Sequence, residues 1–161
     1  MNDLASADTS THTSHYQRLE KMYASAPINQ HYQSRIQIGD GTCEIAITIS
    51  REVFHAGGSA HGAVYFKLLD DAAFFASQSK TLDYFVLTSS FHLNFMRPMT
   101  EGPVVANGRW LNGERRVFLA EATITDQTGR ELARGSGSFM RSRKRLESLP
   151  GYQDDGGTAD S

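Results

Sequence analysis

The stretch HGAVYFKLLDDAAFFASQSK, from His61 to Lys80, decides the fold of this 161-residue chain. It has the length of a helix of several turns, and after Gly62 it contains neither glycine nor proline. Its apolar side chains would surround the whole circumference of such a helix, and a helix that is apolar all round is a buried one. We therefore predict a helix over about residues 61–79 that other elements enclose.

Four segments rich in β-branched and aromatic residues follow this helix and can enclose it: 84–96, 104–111, 116–125 and 131–140. Turn residues separate them, so we predict four successive strands that form an antiparallel meander. Upstream, residues 34–38 and 43–49 flank the turn Gly39-Asp40-Gly41, which predicts a hairpin.

Glycines interrupt two of the predicted strands at Gly108, Gly135 and Gly137. They remove side chains where a sheet that bends tightly around a helix needs bulges or close approach. The order of two strands, a long buried helix and four strands indicates an α+β fold. In that fold one curved antiparallel sheet, of about five to six strands, wraps around one helix.

Length and composition fit a single globular domain. Hydrophobic residues make up 39% of the chain and charged residues 21%, which is close to ordinary globular usage. We predict one domain at 16–149, flanked by flexible segments at 1–15 and 150–161 that have little apolar surface to bury. The net charge of −2 gives no reason to expect a nucleic-acid partner.

The first residues and the histidines bear on location and on metal binding. The opening MNDLASADTSTHTSHYQ lacks a secretory signal and no segment has the apolar length of a membrane span, so we expect a cytoplasmic protein. Cys43 is the only cysteine, which excludes an intrachain disulfide. Because His55, His61 and His92 lack the spacing of helix-borne metal ligands, we expect neither a metal nor another cofactor.

Motifs in and after the helix resemble those of the hotdog-fold acyl-CoA thioesterases, specifically the group of the phenylacetate-pathway (PaaI-like) thioesterase. They are His61-Gly62, an acidic residue nine positions after the histidine at Asp70, LNFMRP at 93–98, and DQTGRELARGSG at 126–137. The resemblance covers roughly residues 30–142. It implies a hotdog fold and hydrolysis of an acyl-CoA thioester, CoA being part of the substrate. It also implies a homodimer, or a dimer of dimers (homotetramer), with two equivalent active sites at the subunit interface.

Gly62 and Asp70 supply complementary parts of a thioester hydrolase. At a helix start the Gly62 N–H is free to donate to a carbonyl oxygen that gains negative charge. Asp70 or Asp71 can activate water as a general base or attack the thioester carbon. Nine helical residues from His61 to Asp70 advance about 13 Å, too far for both groups of one chain to reach one carbonyl carbon. We therefore expect Asp70 to act with the Gly62 of another subunit.

Three of these helix residues have a structural alternative. Asp70 matches the catalytic acid of the family by its spacing, and its alternative is an i, i+3 pair with Lys67. For Asp71 the functional alternative is substrate binding, and the structural alternative is an i, i+4 pair with the same lysine. For His61 the functional alternative is contact with substrate, and the structural alternative is a residue that starts the helix.

His55 and Thr88 complete the predicted catalytic residues. Relatives often carry Asn or Gln six positions before the His-Gly pair, where this chain has His55. An imidazole there can donate a hydrogen bond or titrate as a second acid or base, or it can be a loop residue without a role. Thr88 falls where relatives often place a hydroxyl near the attacking water, although threonine is also an ordinary strand residue.

Basic residues offer contacts for the phosphates of CoA. We assign Arg97 to substrate binding, and the basic cluster Arg141, Arg143, Lys144 and Arg145 can act similarly or form a solvated end of the last strand.

Two other functions stay open on the same fold. One is a hydratase or dehydratase for acyl-CoA or acyl-carrier-protein substrates, which the imidazole of His55 would suit. The other is a non-catalytic acyl-CoA-binding protein.

Overall fold

A central helix packed against one antiparallel sheet forms the body of the computed structural model, which describes residues 3–153 and side chains from residue 14 onward. The helices are α1 (Asp3–Ser25), α2 (Pro27–Tyr32) and the central α3 (Gly62–Gln78). The strands are β1 (Arg35–Gly39), β2 (Thr42–Ile49), β3 (Tyr84–Phe95), β4 (Gly102–Asn112), β5 (Val117–Asp126) and β6 (Glu131–Arg145). The predicted α+β architecture, one helix and six antiparallel strands, is confirmed.

The strand order is β1-β2-β4-β5-β6-β3, so β3 pairs with β6 and not with β4. The predicted meander is therefore correct for β4, β5 and β6 and wrong for β3. The reason lies in the link after β3, which is anchored across one end of the fold and is no tight turn. Met99 in this link is fully buried and its carbonyl accepts from Ala60 N–H at 2.9 Å, while the Tyr65 hydroxyl donates to the Arg97 carbonyl at 2.9 Å.

The helix α3 lies against the backbone of the sheet at Gly108 on β4. A Cβ added to Gly108 would lie 2.0 Å from the carbonyl oxygen of Ala72, so the helix backbone fills the space of a side chain. This confirms the close approach predicted from that glycine. Gly135 and Gly137 on β6 instead make room for Phe91 on β3, whose side chain would lie 2.6 Å and 2.5 Å from the added Cβ atoms.

Two helices precede the sheet. Residues 16–24 have a composition that favours a short helix, and they lie within α1. The six-residue helix α2 was not predicted. His15 and Tyr152 lie just outside the predicted domain limits, yet both are buried and His15 Nδ1 lies 2.7 Å from the Tyr152 hydroxyl. Flexibility of the terminal segments stays a prediction, and residues 1–2 and 154–161 lie outside the described part. No helix among the described residues has the length and apolar character needed to cross a membrane.

Candidate active site

The first turn of α3 leaves one backbone donor without an acceptor. His61 is the N-cap: its Nδ1 accepts from Ala63 N–H at 3.0 Å and its carbonyl accepts from Val64 N–H at 2.9 Å. Within residues 3–153 the N–H of Gly62 has no acceptor, as expected for the first residue of a helix. His61 thus occupies the helix-starting position, and its contact with substrate stays a prediction.

Asp70 lies on α3 and faces β3. The hydroxyl of Thr88 donates to Asp70 Oδ1 at 3.0 Å, so the structure brings together two of the predicted catalytic residues. Burial raises the pKa of the Asp70 carboxyl to about 6, although the Thr88 hydrogen bond opposes this rise. A carboxyl with such a pKa can accept a proton near neutral pH and release it again.

Asp71 is the partner of Lys67. The ammonium of Lys67 donates to Asp71 Oδ2 and, at 2.6 Å, to Oδ1 of Asn29 on α2. It also lies 5.4 Å from the ring centroid of Tyr23 and 5.1 Å from that of Tyr32, so it is enclosed by cation–π contacts. Burial raises the pKa of Asp71, and the nearby ammonium opposes the rise. The i, i+4 pair predicted as the structural alternative is therefore present.

This arrangement separates the two neighbouring carboxylates. Because Lys67 is bonded to Asp71 and Asn29, the i, i+3 ion pair considered for Asp70 is not formed. Asp70 instead has the Thr88 hydroxyl as its hydrogen-bond donor among the described residues. Substrate binding by Asp71 stays a prediction.

His55 is held by its own loop. Its Nδ1 accepts from Gly57 N–H at 2.9 Å, and its Nε2 lies 3.0 Å from the Ser59 hydroxyl. A backbone N–H can only donate, so the proton of the neutral ring lies on Nε2 and is donated to Ser59. Protonation of Nδ1 would break the hydrogen bond to Gly57. The geometry therefore suits a fixed donor better than a second acid or base.

Ser59 was missed by the sequence reasoning. Its hydroxyl accepts from His55, which leaves its own proton to be donated, and no acceptor for that proton lies among the described residues. The sequence places Ser59 four residues after His55, but no spacing rule predicts that a histidine folds back over a glycine turn.

The structure does not bring Gly62 and Asp70 of one chain together. A Cβ on Gly62 would lie 3.3 Å from the ring of Phe95, at the end of β3, whereas Asp70 bonds to Thr88 near its beginning. The seven residues from Thr88 to Phe95 span roughly 23 Å of strand. One chain therefore carries two separate half-sites.

A groove of about 570 Å³ opens beside Asp70, Asp71 and Thr88. Apolar side chains from α1, the α1–α2 link, α2, α3 and β3 form most of its lining. Phe74 and Phe75 line this groove and also pack with the core, whereas Phe54 and Phe91 pack against the core only.

The basic residues are partly engaged elsewhere. Arg97 is exposed, and its Nη1 donates to the Glu131 carbonyl at 2.6 Å. The guanidinium carbons of Arg141 and Arg145 lie 3.7 Å and 5.1 Å from the ring centroid of Tyr84. Contact of these residues with CoA stays a prediction. No group of three or more potential metal ligands lies close together in the described part of the chain.

Comparison with known proteins confirms the resemblance found in the sequence. Residues 57–133, which contain α3 and most of the sheet, match the family model described as the thioesterase superfamily. A Saccharolobus solfataricus protein with a provisional esterase name is 26% identical over 102 residues, which are 62% of this chain and 67% of that protein.

Solved structures confirm the hotdog fold. The Escherichia coli PaaI protein of the phenylacetic acid degradation operon superposes with a TM-score of 0.77 and 19% identity, over 84% of this chain and 98% of that one. A Streptococcus mutans protein solved with acetyl-CoA gives a TM-score of 0.64 and 20% identity, over 70% of this chain and 90% of that one.

Proposed function

We propose that this chain, which has the hotdog fold and matches the thioesterase superfamily, is an acyl-CoA thioesterase that acts as a dimer. The observation that carries the proposal is Asp70, a half-buried carboxylate on the central helix with a raised pKa and a single hydroxyl donor among the described residues. Binding of acetyl-CoA by the Streptococcus mutans neighbour supports the choice of a CoA thioester.

In this mechanism the Gly62 N–H donates to the thioester carbonyl oxygen and stabilises its negative charge in the transition state. Asp70 removes a proton from water as the water oxygen bonds to the carbonyl carbon. The C–S bond then breaks, and the proton on Asp70 passes to the departing sulfur, which yields free acid and CoA. Thr88 fixes the carboxylate by its hydrogen bond, and the loop of His55 and Ser59 offers a hydroxyl to the acyl group or the water. Direct attack by Asp70 is the second route to the same products.

Pairing of the edge strand β3 with β3 of a second subunit would bring the two half-sites together. β3 ends the sheet, and both Phe95 on β3 and Phe66 on α3 are large exposed apolar residues, at 59% and 42%. Two β3 strands can pair antiparallel about a twofold axis between Phe91 and His92. Such pairing places Phe95, next to Gly62, opposite Thr88 of the partner subunit.

Removal of the Gly62 donor tests the mechanism most directly. Gly62 is the first helical residue and His61 before it is extended, with φ −62° and ψ 145°, so proline fits this position while it removes the N–H. We expect Gly62→Pro to lower kcat for thiol release from acyl-CoAs by about 100-fold or more. Gly62→Ala keeps the donor and is the matched control.

Replacement of the carboxylate gives the companion test. We expect Asp70→Asn to lower kcat by about 100-fold or more, because the amide cannot accept the proton of water. Asp71→Asn should keep its activity per folded molecule within about tenfold while it lowers stability, because Lys67 loses its counter-charge. Full activity of Asp70→Asn would refute the mechanism, and no thiol release by the wild type from any acyl-CoA would refute the function.

A mixture of the two inactive variants tests the shared site. In a heterodimer of Gly62→Pro and Asp70→Asn, one site has both variant groups and the other has both native groups. Random reassociation should therefore recover about a quarter of the wild-type activity. Heterodimers that form without any recovery would exclude a site built from two subunits.

The hydratase or dehydratase alternative has less support. It calls for an imidazole that exchanges protons, whereas both ring nitrogens of His55 are engaged within its own loop. Conversion of enoyl-CoA to hydroxyacyl-CoA without thiol release would favour it. Binding of acyl-CoA with neither reaction would favour the non-catalytic alternative.

A further inference from the structure

The groove beside Asp70 has one wall that lies outside the matched family region. Met22 and Tyr23 from α1, Ala26 from the link and Ile28 from α2 face Phe74 on α3 and Leu87 on β3. The family match begins only at residue 57. This wall is therefore a contribution of the N-terminal helices and not of the catalytic helix and strands.

The two N-terminal helices are fixed firmly enough to shape a pocket. The ring of Tyr23 packs edge to face on Phe75, with centroids 5.4 Å apart, and its hydroxyl lies 2.6 Å from the Ser34 hydroxyl. Asn29 is buried, donates to the Tyr23 carbonyl at 2.7 Å and accepts from Lys67. The wall is thus joined to α3 by aromatic packing and by the hydrogen bond from Lys67 to Asn29.

Polar atoms in the groove are largely committed to each other. Asp71 and the side-chain oxygen of Asn29 accept from Lys67, and the amide nitrogen of Asn29 donates to Tyr23. Asp70 and Thr88 are bonded to each other and stand at the proposed reaction centre. The second carboxylate oxygens of Asp70 and Asp71 can still accept, but elsewhere in the groove a ligand would meet apolar surface and find no free side-chain partner for a hydroxyl or a charge of its own.

We propose that the N-terminal helices and α3 form the acyl pocket of this enzyme, and that the pocket selects unsubstituted apolar acyl groups larger than acetyl. The inference rests on the proposed thioesterase function. A volume of about 570 Å³ lies in the range of pockets that bury most of a small ligand, and an acetyl group fills only a small part of it. Each methylene that is buried increases binding by about fourfold until the groove is full.

The test compares acetyl-, butyryl-, hexanoyl- and octanoyl-CoA in the thiol-release assay. kcat/KM should rise by about fourfold per methylene from acetyl to hexanoyl. An ω-hydroxyhexanoyl-CoA should be about tenfold poorer than hexanoyl-CoA, because its hydroxyl is buried without a partner. Equal kcat/KM across the aliphatic series, or no discrimination against the hydroxyl, would overturn the proposal.

A variant of the wall separates this inference from the general function. Ile28 is 57% exposed, so Ile28→Trp fills the groove without a change in the core, and the ratio of kcat/KM for octanoyl-CoA to acetyl-CoA should fall by about tenfold or more. His31→Trp, an exposed position on the same helix that does not line the groove, should leave the ratio unchanged.

Binding of the thioether S-octyl-CoA, measured by calorimetry, gives a readout that needs no turnover. It should weaken in Ile28→Trp and not in His31→Trp. Hydrolysis with an unaltered chain-length ratio and unaltered thioether affinity in Ile28→Trp would refute the acyl pocket and leave the thioesterase standing. Absence of hydrolysis by the wild type would instead refute the proposed function.

Discussion

Asp70 determines how activity should depend on pH. Its pKa of about 6 means that the carboxylate needed to accept a proton from water predominates above that pH. We expect kcat/KM to reach a plateau above about pH 7 and to fall about tenfold per pH unit below about pH 6. A pH–rate profile measures this directly. A midpoint near 4, the ordinary value of an aspartate, would show that burial of Asp70 does not govern the reaction.

The unfolding free energy offers a check on Asp70 that does not require catalysis. Since the folded-state pKa lies above the ordinary 3.8, the contribution of Asp70 to stability is present below about pH 4 and is lost as the pH rises through about 6. By this pKa difference, ionisation of the buried Asp70 carboxyl lowers the free energy of unfolding by roughly 3 kcal/mol. Because the carboxyl is partly exposed, we reduce this figure to about 1–2 kcal/mol. Asp70→Asn should therefore be more stable than the wild type by that amount at about pH 8 in urea titrations, and equal to it near pH 4.

Residue types and spacings predicted some of the candidate site. The spacing from His61 to Asp70, matched to the family that the motifs resemble, selected the carboxylate that bonds to Thr88, and i, i+4 spacing paired Asp71 with Lys67. The role of Ser59 was not predictable, because it arises from a ring folded back over Gly57. Contacts between side chains of an irregular loop leave no periodic signal in a sequence.

At the scale of elements, the contact between α3 and β4 is the most demanding. An alanine at Gly108 would press its Cβ to 2.0 Å from the Ala72 carbonyl, and only displacement of the helix backbone can relieve that overlap. We expect Gly108→Ala to lower the free energy of unfolding by about 2–4 kcal/mol, measured by urea titration. Asn107→Ala, an exposed neighbour on the same strand, should stay within about 0.5 kcal/mol of the wild type. Similar losses in both variants would mean that the close approach is not the cause.

Helix α3 and the strand pairs β1–β2, β4–β5 and β5–β6 were easier to predict than the place of β3. Apolar periodicity identifies an element and its buried face, but it does not say which strand lies beside it. Successive strands usually pair, and this prior failed for β3 because the link from Met96 to Glu101 crosses one end of the sheet. Helix α2 was missed because six residues are too few for a periodic pattern.

For the whole molecule, the exposed side chains around β3 should decide the oligomeric state. Phe66 packs edge to face on Phe91, beside the proposed twofold axis, and 42% of it is exposed in one chain. We expect Phe66→Glu to give the mass of one chain in light scattering and to lose thiol release, because the two half-sites separate. Leu119→Glu, equally exposed at 45% on the outer face of β5, should retain at least two chains and full activity. A two-chain, active Phe66→Glu protein would place the interface elsewhere.

The attachment of the N-terminal helices to α3 has a consequence for how such an enzyme diversifies. The groups proposed for the reaction lie in α3, its preceding loop and β3, whereas the outer pocket wall at Met22, Ala26 and Ile28 belongs to a separate stretch of chain. Lys67, which is paired with Asp71, donates to Asn29 and so holds that stretch in place without drawing on Asp70. Mutations accumulating in the first thirty or so residues can therefore alter the substrate repertoire during evolution while the hydrolytic chemistry stays protected from them.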